Sequence, residues 1–135
     1  MQKINVTIDW TDTNFSATTN EVGGAVIVTA KDLGKLNEEF KSAFDFHVEG
    51  CIEDGDDIPN WVVTGEYEFE YHYTTAALLH KYDGILSRAA LARLSGINER
   101  QIGHYASGLK TPRPATRIKL INGLHQLGND LMSVV

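Results

Sequence analysis

The most constraining feature of the chain is the spacing of Ala92, Gly96 and Ile102, four and six residues apart, inside the run SRAALARLSGINERQIGHYASG from Ser87 to Gly108. Ser87 offers a hydroxyl to cap a helix whose Ala89, Ala90, Leu91, Ala92 and Leu94 are small enough to let a second helix approach closely. Gly96 ends that helix, since a tight turn needs a residue that tolerates positive φ. Asn98 caps the next helix, Gln101 three residues later completes a capping box, and Ile97, Ile102 and Tyr105 supply its buried side. The expected unit is two helices joined by a turn, the first packing against the second.

The exposed side of the second helix presents Asn98, Glu99, Arg100, Gln101 and His104 near its N-terminus, the end that enters the major groove in helix-turn-helix proteins. Arg100 can bond a guanine edge bidentately and Gln101 an adenine. Arg88, Lys110, Arg113 and Arg117 flank the pair as candidate phosphate contacts, which set register and affinity without reading bases. Upstream, Thr74 and Thr75 can cap a short helix through Lys81, closing at Asp83-Gly84; downstream, Ile118, Leu120, Ile121, Leu124 and Leu127 give a last helix that closes the core or pairs subunits. A helical interaction bundle without a DNA role is the competing reading.

Charge divides the chain near Tyr73. Residues 1 to 72 hold 15 acids against four lysines, and residues 73 to 135 hold three acids against eight bases, so the halves carry −11 and +5. Such opposite fields imply a basic partner for the front and a polyanion for the back.

In the front half Ile4, Val6, Ile8 and Trp10 alternate with polar residues as in a half-buried strand, and Phe15, Ala17 and Thr19 repeat the pattern. Ala25 to Val28 is a run suited to a more buried strand, completing a three-stranded meander. Leu33, Leu36, Phe40, Phe44 and Val48 then place an apolar stripe on a helix that starts at Lys31 or Asp32 and ends at Gly50. The loop EDGDDIPN, Trp61 to Val63 and a strand from Glu66 to Tyr73 follow, with Trp61 in the core. On that strand Tyr67, Phe69, Tyr71 and Tyr73 share a core face, while Glu66, Glu68, Glu70 and His72 share a wet one. The carboxylates either guard an edge strand against aggregation or, with Asp54, Asp56 and Asp57, form a docking surface for a basic protein.

Each half approaches the size where one core barely suffices, which favours a homodimer or higher homo-oligomer. One cysteine, Cys51, excludes an internal disulfide, and no apolar stretch resembles a signal peptide or membrane span, pointing to a cytoplasmic protein with no membrane partner. Asp9, Asp12, Glu38 and Glu49 would serve a metal-dependent nuclease only if they converged within reach of one ion. His47 and Cys51 have the spacing of a zinc pair but lack a second pair. The expectation is no catalytic site, no metal and no cofactor.

Residues 86 to 124, LSRAALARLSGINERQIGHYASGLKTPRPATRIKLINGL, resemble the lambda-repressor-like helix-turn-helix domain of bacterial regulators. With the front half ahead of it, the chain is similar to the HicB antitoxin family: Gly23 to Val28 match its second and third strand region, and Glu38, Glu39, Phe40 and Ala43 its helix. No proline-glycine-cysteine segment follows the third strand, so the family's toxin contacts do not transfer residue by residue. The resemblance implies an α+β chain: a β-β-β-α-β partial ribonuclease-H-like domain over residues 1–72, then an all-α helix-turn-helix domain over residues 73–135. It further implies an antitoxin that covers a small basic HicA-like mRNA-cleaving toxin and represses its own operon by binding double-stranded operator DNA. The alternative is a stand-alone regulator whose front domain senses a ligand or protein.

Overall fold

The computed structural model describes all residues from Met1 to Val135 as a mixed α+β chain with one four-stranded sheet and six helices. It divides into two compact units, Met1–Thr74 and Thr75–Val135. The division falls two residues beyond the charge boundary at residue 72 because Thr74 still belongs to the sheet: its N–H donates to the Ile8 carbonyl at 2.9 Å and its hydroxyl to Asp9 at 2.7 Å. No helix is long and apolar enough to cross a membrane.

In the front unit β1 (Gln2–Thr11), β2 (Asn14–Thr19) and β3 (Val26–Ala30) form an antiparallel meander, and β4 (Tyr67–Tyr73) returns parallel to β1, giving the order β3-β2-β1-β4. The period of two buries Ile4, Val6, Ile8, Phe15 and Ala17 on one face. Helix α1 (Leu33–Glu53) lies over that face through Leu36, Phe40, Phe44, Val48 and Cys51. Phe69 of β4 meets Phe40 and Phe44 edge-on, with ring centroids 5.2 and 5.1 Å apart.

Four front-half expectations need correction. The run from Ala25 to Val28 is not a buried strand: β3 is a sheet edge and Ile27 is 65 % exposed. Helix α1 does not stop at Gly50 but continues to Glu53, capped by Asp32 at its start, where the carboxylate accepts from Lys35 N–H at 2.9 Å. Asn60–Val63 forms a single helical turn, α2, in which Val62 rather than Trp61 is buried. The aromatic face of β4 is half-buried, because β4 is the other edge and α1 covers it incompletely.

The back unit comprises α3 (Thr75–Lys81), α4 (Arg88–Ser95), α5 (Glu99–Ser107) and α6 (Pro114–Met132) around Leu79, Leu91, Ile102, Ala106 and Leu120. Gly123 lets α6 sit directly on the end of α4: a Cβ there would lie 2.6 Å from the Leu94 carbonyl oxygen.

Candidate nucleic-acid interface

The junction of α4 and α5 is assembled by side chains that bond their own backbone. The Ser87 hydroxyl accepts from Ala90 N–H at 3.0 Å, satisfying a donor that the first turn of α4 leaves open. At the other end Gly96 adopts φ +73° and donates to the Ala92 carbonyl at 2.9 Å, turning the chain. Ser95 ties the turn from both sides, donating to the Leu91 carbonyl at 2.7 Å and accepting from Ile97 N–H at 3.2 Å. Asn98 caps α5 by accepting from Arg100 N–H at 2.8 Å. Ile102 and Ala106 bury the inner face of α5, and His80 of α3 donates to the Ala106 carbonyl at 2.8 Å, holding the far end.

This arrangement leaves Glu99 and Arg100 exposed at the start of α5, with Arg88 exposed beside them. A Cβ on Gly103 would lie 3.4 Å from Arg88 Nη1, so the guanidinium of α4 extends along α5. Lys110 and Arg113 stand free on the loop leading to α6, and Arg113 occupies the position just before that helix. A cation at the positive end of a helix is unfavourably placed, and a bound anion would relieve it.

Three of the expected site residues behave differently. Arg117 is half-buried and donates to the Thr75 hydroxyl at 2.8 Å, which takes it out of the exposed cationic set. Gln101 forms no capping box: its Oε1 is enclosed without a hydrogen-bond partner. His104 is likewise half-buried, with Nδ1 enclosed and unpartnered. Only the other polar side-chain atom of each, Gln101 Nε2 and His104 Nε2, is left for an outside group without rearrangement of these enclosed atoms. The oxygen of Asn98 is spent on the cap, so only its amide nitrogen remains for an outside group.

The acidic candidates do not form one surface. Asp54 and Asp56 border a cleft beside β3, whereas Glu66, Glu68 and Glu70 lie on or next to β4, at the opposite edge of the sheet. Glu70 is already engaged: Lys3 Nζ lies 3.0 Å from one of its oxygens and His72 Nε2 3.0 Å from the other. The hydrogen bond and charge of Lys3 hold the Glu70 carboxyl below the usual range. His72 also donates to Asn5 Oδ1 at 2.9 Å, and Asn5 donates to Glu21 at 2.8 Å, so a polar chain crosses that end of the sheet. Glu66, Glu68, Asp54, Asp56 and Asp57 remain exposed.

Sequence reasoning passed over Phe46, which is 78 % exposed, and placed Ile27, which is 65 % exposed, in a buried strand. The signal was present in Phe46, which lies off the apolar stripe of α1, on its charged side.

Asp9, Asp12, Glu38 and Glu49 do not converge. Asp9 faces away from α1 and accepts from Trp10 N–H and the Thr74 hydroxyl, Asp12 forms the β1–β2 turn, and Glu38 and Glu49 point outward from α1. His47 Nε2 lies 2.6 Å from the Val22 carbonyl and 3.6 Å from Cys51 Sγ, and no group of three or more His, Cys, Asp or Glu side chains is placed to hold an ion. Burial, then the Asp56 and Asp54 charges, push the Cys51 thiol up, away from the reactive thiolate.

No protein-family model, no curated protein and no solved structure matches this chain.

Proposed function

We propose that the chain is a non-catalytic antitoxin and autorepressor, in which α4, its turn and α5 act as a lambda-repressor-like helix-turn-helix on operator DNA. The front unit, read as a partial ribonuclease-H-like sheet, masks a small basic HicA-like toxin. The observation that carries the DNA reading is the α4–α5 junction: a left-handed Gly96 between two side-chain-capped helices, with Arg88 and Arg100 exposed on the side away from the core. The charge of −11 over residues 1–72 supports a basic partner at the front, by complementarity with an RNA-binding surface. The mechanism is occlusion: neither unit needs to transform what it binds.

The DNA claim is tested by band shift on the segment upstream of the gene. Arg100→Ala is expected to weaken specific binding by about 1–3 kcal/mol and to relax discrimination at one base position. The toxin claim is tested by capture with the full chain, followed by expression of any retained small basic protein. Growth arrest relieved by co-expressing this chain supports the antitoxin reading. DNA binding without such a protein would instead leave a stand-alone regulator.

A further inference from the structure

The free edge of β3 borders an open cleft of mixed polar and apolar lining. β3 pairs with β2 on one side and with no strand on the other, so the outward N–H and C=O groups of Val26–Ala30 lack a ladder. Alongside runs the flank of α1 that carries Ala43, Phe46 and Gly50, and between helix and strand lies a cleft of about 430 Å³. Phe46 lines it while 78 % exposed, Val26 and Ile27 of β3 border it on the strand side, and Asp54 and Asp56 also line it.

These features select an occupant. An open strand edge takes extended chain, whose side chains alternate between two faces. The surface of Ala43, Phe46 and Gly50 suits apolar groups on one of those faces, and small residues at two of these positions leave them room. Asp54 and Asp56 call for a cation near the Val26 end, where no lysine or arginine lines the cleft. The remaining basic-capable group, His47, already donates to the Val22 carbonyl. A second copy of this chain is a poor occupant, because pairing β3 with itself would bring two halves of charge −11 together.

We propose that the β3 edge and the adjoining flank of α1 bind, by strand addition, an extended segment of a basic protein. That segment carries apolar residues at alternate positions facing α1 and a lysine or arginine reaching Asp54 and Asp56. The inference rests on the antitoxin reading for the identity of that protein as the toxin. It also moves the docking surface from the β4 carboxylates, one of which Lys3 and His72 already engage, to the opposite edge of the sheet.

The test uses the ¹⁵N-labelled full chain and a synthetic nonapeptide of alternating valine and lysine, N-methylated along one edge so that it cannot pair with itself. The expected result is amide shifts confined to Val26–Ala30 and the Phe46–Gly50 flank. Affinity should fall roughly 10-fold or more in Phe46→Lys and in Asp54→Lys/Asp56→Lys, and stay unchanged in Glu68→Lys. Shifts at Tyr67–Tyr73, no binding at millimolar peptide, or equal binding of a glutamate-for-lysine peptide would each overturn the proposal. So would self-association of the unliganded chain through β3, measured by sedimentation. Failure of the two readings is distinguishable: a toxin captured and neutralised equally by wild type and Phe46→Lys sinks the docking site alone. If wild type retains no basic toxin, the antitoxin reading fails, and the peptide map then judges the edge by itself.

Discussion

Thr19 shows how one atom can work against the fold that surrounds it. Its side chain is 4 % exposed on the core face of β2, between Val26 and the buried residues of β1, and its hydroxyl has no hydrogen-bond partner. Burying an unpaired hydroxyl costs more than burying a methyl of the same shape. Thr19→Val is therefore expected to raise stability by about 1 kcal/mol, seen as a higher urea midpoint at unchanged slope. An unchanged or lower midpoint would show that the hydroxyl is satisfied in solution. Lys3 and Glu70 carry the opposite lesson, two exposed groups whose charges favour one another. The Glu70 carboxyl titrates below its ordinary 4.5, chiefly through the Lys3 hydrogen bond, so its contribution is present above that value and disappears as pH falls through the lowered one. The Lys3 ammonium titrates above its ordinary 10.5, chiefly through the Glu70 hydrogen bond, so its contribution is complete below that value and is lost as pH climbs past the raised one. The stability difference between wild type and Lys3→Met should accordingly form a small plateau between these limits, shrinking at both ends and with added salt. A difference independent of pH would mean that packing of the lysine stem, rather than charge, is what is lost.

Among the elements, the α4–α5 junction depends most on one backbone conformation. Gly96 sits at φ +73°, where a Cβ costs on the order of 1–2 kcal/mol. Gly96→Ala should lower the melting temperature correspondingly, and on the proposed function should weaken DNA binding beyond what the lost stability explains. Retained operator affinity at a lowered melting temperature would show that the turn matters for folding alone. This junction was also the most legible part of the sequence, because capping and turn formation are decided within a few residues. Ser87, Gly96 and Asn98 act as their chemistry predicts. The strands of the meander were legible for the same reason, through a period that burial enforces. What the sequence did not disclose depends on which element lies beside which. A run such as Ala25 to Val28 reads alike in the middle of a sheet and at its edge, and only the order β3-β2-β1-β4 puts Ile27 in water. Gly50 looked like a stop, yet packing of Cys51 carries α1 past it. Arg117 looked like a free cation until Thr75 appeared opposite it, and the six candidate acids looked like one patch until the sheet separated them. Distant pairing, rather than local preference, decided every one of these.

For the whole molecule, the proposed DNA reading predicts how binding depends on half-site spacing. If the chain binds DNA as a dimer, the operator should be a palindrome with half-sites about 10 to 10.5 base pairs apart, one helical turn. Band shifts with the half-sites moved apart by roughly 5 base pairs, about half a turn, should show a clear loss of affinity. Equal affinity for both spacings would exclude a rigid dimer reading both half-sites. The parallel pairing of β1 with β4 has a consequence for how the protein is made. Residues Gln2 to Ile8 find their parallel partners at Tyr67 to Tyr73, so that border of β1 stays open until the last strand of the sheet has been made. Until then the nascent chain carries β1 with one unpaired border, and Ile4 and Val6 without the aromatic neighbours that shield them. A chain ending before Tyr67 would keep that border open, and an unpaired strand edge is a template for aggregation.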